Sequence, residues 1–262
     1  MGSLSGKSPS ATYKSLLKVS DESNGITTSL AQIEDGEGTS TCMQISDDQI
    51  RIKPENDDTT AVLSVFDKDG NALLSVDSSN DQVKVGTTQW YANSNVLDFS
   101  AYRLTPVAGT HYFVPCSSGN FQSAAGLIEM AKGTGTDPAT SLDAGDQQDD
   151  LLSMLFYAPK NLSIDSTTFM VSTASDTDTD VNLHLYKFTM TNAGGTSDGN
   201  LSSGTLLAHG LARSVDRNVI KTVTCTSDST SVSAGEVIAC FVENTTNTDN
   251  ITIRIQTLYH IV

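Results

Sequence analysis

Between Ile26 and Val85 the apolar residues come only in short runs cut by turn formers: Met43–Ile45, Ile50–Ile52, Ala61–Phe66, Ala72–Val76 and Gln82–Val85. Runs of this length, punctuated by Gly, Asp, Asn and Ser, read as short strands joined by tight loops. Asp69-Gly70 is the sharpest hairpin signal, because the mirror-image turns of tight hairpins require positive φ. It predicts that Ala61–Phe66 and Asn71–Val76 pair.

The same pattern limits how the segment can be stabilised. Ordering costs ~1–2 kcal/mol per residue, and apolar side chains this thinly spread bury too little surface to offset it in a single copy. Three copies wrapped around a common axis would bring the sparse Val, Leu and Ile positions together. The residues expected to make oligomer or anchoring contacts are Tyr13, Leu16, Leu17, Val62, Val65, Leu74, Val76, Val83 and Val85. The first three belong to a short helix expected over residues 10–18, with Ser10 as its cap and one apolar face. Two turns do not hold themselves together in water, so that face also needs a partner.

Residues 86–110, which include Trp90, Phe99 and Tyr102, read as a transition rich in Asn, Ser and Gly, with a domain boundary near Val96. Trp90 reads as a packing anchor at this junction in preference to a sugar-stacking platform. Longer strands follow at His111–Pro115, Leu151–Tyr157, Thr167–Val171, Val181–Met190, Thr205–His209, Val219–Cys225, Glu236–Glu243 and Asn250–Ile261. In the last, Ile251, Ile253, Ile255, Tyr259 and Ile261 share one face while Thr252, Arg254, Gln256 and His260 share the other, the period of a half-buried strand. Val237–Val242 is apolar on both faces and reads as a central strand.

About eight strands of this kind indicate a two-sheet sandwich of jelly-roll type. The expected fold is therefore all-β: an N-terminal segment over 1–50 with its short helix, an extended short-strand stalk over 51–95, and a C-terminal jelly-roll-like sandwich over 96–262. Composition agrees, since 37% of the 262 residues are hydrophobic and 18% charged, the balance being mostly turn and strand formers.

A net charge of −16, with 15 cations against 31 carboxylates, excludes a basic face for nucleic-acid phosphates. No segment approaches the ~20 apolar residues of a membrane span, and Met1 to Ser10 holds no run suited to a signal peptide. The chain thus reads as made in the cytoplasm and not inserted in a membrane. The sequons at Asn161, Asn200, Asn244 and Asn250 then reflect a composition rich in Asn, Ser and Thr.

Signals for chemistry are weak. Cys42, Cys116, Cys225 and Cys240 include no Cys-x-x-Cys pair; buried free thiols are the default, and a Cys225–Cys240 disulfide stays open. Asp176, Asp178 and Asp180 alternate as calcium ligands would, but no Gly or terminal Glu completes the loop, which reads as a solvated acidic stretch. Asp67, Asp69 and Asn71 resemble the start of an EF-hand loop, though hairpin chemistry explains them better. His111, His184, His209 and His260 stand apart, without metal-site spacing. Gly133–Asp137 lacks the Lys and following helix of a phosphate loop, and there is no Gly-x-Ser-x-Gly. No catalytic, cofactor-binding or metal-ligating residue is assigned, although a carboxylate pair for glycoside hydrolysis would not show in sequence spacing.

Several stretches resemble fibre and spike proteins of marine tailed bacteriophages: Leu4-Ser5-Gly6-Lys7 with Tyr13-Lys14-Ser15-Leu16-Leu17, Asn24-Gly25-Ile26, Asp35-Gly36-Glu37-Gly38-Thr39-Ser40 and Ile45-Ser46. Leu73-Leu74-Ser75-Val76-Asp77 with Val83-Lys84-Val85-Gly86 is similar to their shafts, and Gly133-Thr134-Gly135-Thr136-Asp137-Pro138 with Tyr259-His260-Ile261 to their tips. The resemblance implies a homotrimeric virion protein without cofactor. Its N-terminus would attach to a capsid, portal or tail protein, and its C-terminal domain would face outward for adhesion to the host surface. The short shaft leaves a head fibre, spike or decoration protein beside a tail fibre. Two further readings keep the fold: a carbohydrate-binding module in which Tyr157 or Tyr186 stacks on sugar, and a polysaccharide depolymerase.

Overall fold

A computed structural model describes residues 14, 16–21, 23–86, 90–116, 122–123, 126–127, 131–134, 137–142, 151–174, 178–191, 200–246 and 249–262. The chain is all-β and divides into two compact units, Met1–Ala92 and Asn93–Val262.

The first unit consists of two antiparallel four-stranded meanders. One is β1 (Lys18–Val19), β2 (Ala31–Glu34), β3 (Ser40–Ile45) and β4 (Ile50–Ile52); the other is β5 (Leu63–Phe66), β6 (Ala72–Asp77), β7 (Gln82–Val85) and β8 (Trp90–Tyr91), each ordered as in the sequence. Of the helix expected over 10–18, Tyr13 and residues 10–12 and 15 lie outside those described, and Lys18 belongs to β1.

Asp-centred turns join these strands. The carboxylate of Asp67 accepts the backbone N–H of Asp69 and of Asn71 at 2.9 Å each, and Asp35 does the same for Glu37 and Thr39, so Asp-Lys-Asp-Gly-Asn and Asp-Gly-Glu-Gly-Thr are one device used twice. Within the first loop positive φ falls on Gly70 alone, at 86°. The hairpin expected at Asp69-Gly70 is thus present, but with a single left-handed glycine and a register shift after Val65 in place of a mirror-image turn. Among the described residues of this unit no hydrophobic side chain is fully buried; the buried apolar residues begin at Leu97.

The second unit is a sandwich built from β9 (Ser94–Leu104), β10 (Thr110–Val114), β11 (Gln122–Ser123), β12 (Gly126–Leu127), β13 (Ala131–Thr134), β14 (Leu155–Tyr157), β15 (Leu162–Thr173), β16 (Thr179–Met190), β17 (Leu201–Val215), β18 (Lys221–Thr224), β19 (Thr226–Ser227), β20 (Ser231–Val232), β21 (Glu236–Asn244) and β22 (Ile251–Ile261). A seven-stranded sheet runs β13-β10-β21-β16-β17-β19 with β14 also on β21; a five-stranded sheet runs β18-β15-β22-β9 with β20 also on β15; β11 and β12 form a separate hairpin. The segment 86–110, read as a transition, holds the two-residue strand β8 and the eleven-residue β9, so Val96 lies inside a sandwich strand. Leu97, Phe99, Ala101 and Leu104 supply that strand with buried positions, which its Asn and Ser residues mask in the sequence.

The main core lies between the sheets, with Phe99, Phe169, Ile253 and Ile255 facing Val114, Leu183, Leu185, Leu207 and Val242. A second cluster, Phe113, Tyr186, Phe188 and Phe241 under Leu151, Met154 and Leu201, covers the other face of the seven-stranded sheet. Apolar on both faces, β21 sits between β10 and β16 as expected of a central strand. The alternation of β22 holds as far as Thr257, and Tyr259 packs on the main core as expected, but His260 on the opposite face is also buried and Ile261 is 40% exposed. A bulge in the partner strand places Asp165 beside His260 at this end of β22.

Candidate functional site

The feature of the first unit that most demands a function is one face of the β5–β8 meander. Register places Leu63 opposite Val76, Val65 opposite Leu74, Leu74 opposite Val85, Val76 opposite Val83, and Val85 opposite Trp90. Residues directly opposite point to the same side of a sheet, so all seven form one contiguous apolar surface. The other side carries Ser64, Ser75, Lys84 and Tyr91, with the Lys84 ammonium 5.1 Å from the Tyr91 ring centroid.

Among the described residues of the first unit nothing covers that apolar face: Leu63, Val65, Val83, Val85 and Trp90 are 39–52% exposed. Scattered apolar residues on a surface are ordinary, but a contiguous patch on a small sheet without its own core marks an interaction surface. Of the residues expected to mediate assembly, Val65, Leu74, Val76, Val83 and Val85 come together here. Val62 does not: it precedes β5, and alternation sends it to the opposite side from Val65. Leu16 and Leu17 are exposed, and Tyr13 lies outside the described residues. Leu63 and Trp90 belong to the face although neither was expected there. Alternation from Val65 would have found Leu63, and Trp90 enters only through its pairing with Val85.

Turn aspartates hold this sheet in register. Hydrogen bonds from the Asn71 side chain and backbone keep the Asp67 carboxyl below its usual range, and those from Asn80 do the same for Asp77. These carboxylates are engaged by the chain's own N–H groups, in keeping with hairpin chemistry and not with a calcium loop.

Elsewhere the structure distributes the other candidates. Asp176 lies outside the described residues, and Asp180 accepts from Arg213 Nη1 and the Ser214 N–H at 3.0 Å each, so it closes an ion pair instead of facing a cation. Cys225 links β18 to β19 while Cys240 lies in β21, which pairs with neither; all four thiols are free. Burial pushes Cys116 up to about 11 and Cys225 up to about 12, and Cys240 well above its ordinary value, so none of these three is a thiolate nucleophile near neutrality. Tyr186 is buried and stacks on Phe188, so it presents no ring to a sugar, whereas Tyr157 is 54% exposed. Trp90, expected as a packing anchor, is 52% exposed.

Sequence spacing separates the four histidines, yet the fold brings His111 and His184 to 5.0 Å between ring centroids. Burial pushes both imidazoles down to about 4, so both are neutral at pH 7. Among the described residues no helix is long and apolar enough to cross a membrane.

No family model matches the chain, and no curated protein sequence matches it. Among solved structures, an aminopeptidase from the marine sediment archaeon Thaumarchaeota archaeon is similar at 11% identity and a TM-score of 0.31, over 72% of this chain and 40% of that one. A structure of infectious bursal disease virus Gx strain is similar at 12% identity and a TM-score of 0.24, over 73% of this chain and 64% of that one. This chain therefore spans less than two thirds of either, and at these TM-scores neither likeness carries an argument.

Proposed function

We propose that the chain is a structural virion protein, a homotrimeric phage fibre or spike whose first unit assembles through the apolar face of β5–β8 and whose second unit is displayed outward, for adhesion to the host surface. The observation that carries this reading is the uncovered face itself. Burying a Val or Leu side chain is worth ~1.5–3 kcal/mol, and the first unit leaves a row of them half exposed. Packing three copies face to face supplies the core that one copy lacks.

We read the second unit as a jelly roll. Its eight principal strands pair first with eighth (β9, β22), second with seventh (β10, β21), third with sixth (β15, β18) and fourth with fifth (β16, β17), the pattern of a long folded hairpin rolled into two sheets. Capsid and lectin domains use that architecture, which is an analogy of fold and leaves function to the site. The half-exposed Tyr157 supports glycan contact at the displayed end, with capsid decoration as the alternative role.

Light scattering on the full chain at micromolar concentration tests the assembly: the reading requires three times the 27.7 kDa chain mass, and a monomer overturns it. A glycan array without binding removes the adhesive role while leaving the trimer.

A further inference from the structure

We infer that the second unit carries a divalent transition-metal site on the outer face of its seven-stranded sheet, held by His111, His184, Glu243 and Asp137. Three of these come from adjacent strands. His111 of β10 stands directly opposite Glu243 of β21, Glu243 stands opposite Asn182 of β16, and His184 follows two residues along the same side of β16. Asp137 approaches from the segment after β13.

The polar groups here are buried without the partners such groups require. The His111 side chain is fully buried, and neither of its ring nitrogens has a hydrogen-bond partner; Nδ1 of His184 has none either. Buried polar atoms are nearly always satisfied, so an orphaned imidazole calls for something that fills the space beside it.

Two distances indicate what that is. Nε2 of His111 lies 3.7 Å from Oε2 of Glu243, and Nε2 of His184 lies 3.7 Å from Oδ1 of Asp137. A direct charge-assisted hydrogen bond would bring such atoms to about 2.7–2.9 Å. A bridging water, about 2.8 Å from each at a near-tetrahedral angle, would hold them about 4.5 Å apart. A zinc-like ion at about 2.0–2.2 Å from each donor sets them about 3.4–3.7 Å apart for angles between tetrahedral and trigonal. Each pair, taken separately, has the spacing that an ion held between its two donors would give.

The donor set agrees with that geometry. Two neutral imidazoles and two carboxylates suit zinc, cobalt or nickel over calcium or magnesium. Glu243 Oε2 also accepts from Asn182 Nδ2 at 2.8 Å, an orienting bond of the kind that surrounds metal ligands. Among the described residues no three ligand-type side chains already converge on one point. Bringing all four donors onto one ion therefore requires a shift of the Asp137 side chain, which is 67% exposed.

The test is titration of the full chain, stripped with EDTA, with Co2+ read by its visible absorption and with Zn2+ read by competition. One equivalent of each should bind, with the Co2+ bands of a four-coordinate N/O site and a rise in melting temperature. His184→Gln should abolish the bands. Asp137→Asn, which alters an exposed side chain, should weaken binding by about tenfold or more with the metal-free melting temperature unchanged. His260→Gln, on the other sheet, should bind as the unaltered chain does. An unaltered chain that binds neither metal, or equal binding by Asp137→Asn and His184→Gln, overturns the site.

Discussion

The carboxylate of Asp165 meets Nδ1 of His260 at 2.8 Å across the β15–β22 pair, and Asp165 is the bulged residue of that ladder, without an opposite number in register. Tyr259, next to His260 in β22, packs on the main core, so His260 points to the other face of its sheet, where the extra residue of the bulge supplies an acceptor for the buried ring. Asp165→Ala should therefore lower stability by about 1–3 kcal/mol, because it removes a hydrogen bond to a buried imidazole. Denaturant unfolding of the variant checks this, and an unchanged midpoint contradicts it.

Val65 and Val85 flank Leu74 on the apolar face of β5–β8, and each is more than 40% exposed in a single copy. Val65→Lys combined with Val85→Lys should convert the proposed trimer to monomers in sedimentation velocity, while the melting of the second unit stays unchanged. Ser64→Lys on the opposite side should leave the mass unaltered.

The turn aspartates give the first unit an acid limit. Hydrogen bonds hold Asp35, Asp67 and Asp77 below the usual carboxylate range in the folded chain. A depressed folded-state pKa contributes stability that is present above the unfolded value, about 3.9, and lost as pH falls through the folded one. Amide protection of Thr39, Asn71 and Asn80 should accordingly fall below about pH 4. In Asp67→Asn the effect at Asn71 should already be present at neutral pH.

Gly204 and Gly210 differ in what an added methyl would meet. At Gly204 it would lie 2.6 Å from Phe188 Cε1 and 2.9 Å from the Thr140 backbone, whereas at Gly210 its closest neighbours are the side-chain atoms Phe169 Cε1 at 2.8 Å and Cys225 Sγ at 3.0 Å. Gly204→Ala should be the more destabilising of the two, with overpacking costing about 1–3 kcal/mol and the side-chain contacts at Gly210 relaxing more readily. Equal melting temperatures for the two variants would contradict that ranking.

Thiol labelling at pH 8 should separate the cysteines. Cys42 is exposed and should react at once, whereas Cys116, Cys225 and Cys240 lie in or against the main core with raised pKa values and should react only on unfolding. Fast labelling of more than one thiol in the native chain would contradict the packing.

What was legible in the sequence is what local pattern encodes. Alternation from Ile251 to Ile255, the two-sided apolar run in β21 and the Asp-Gly hairpin each follow from side-chain direction or turn chemistry within a few residues. So does the face shared by Val65, Leu74, Val76, Val83 and Val85, since a period of two and one turn between neighbours define it. Pairing across long loops is not local: β9 finds β22 some 150 residues later in the chain, and its buried Leu97 and Phe99 are diluted by Asn, Ser and Asp. The contact of buried His260 with Asp165 depends on a bulge in another strand, and the meeting of His111, His184 and Glu243 depends on three strands lying side by side. Sequence alone determined that this chain forms short strands with too little apolar surface in its first unit; tertiary structure decided which polar side chains are buried together, because burial is a property of neighbours that only the assembled sheets provide.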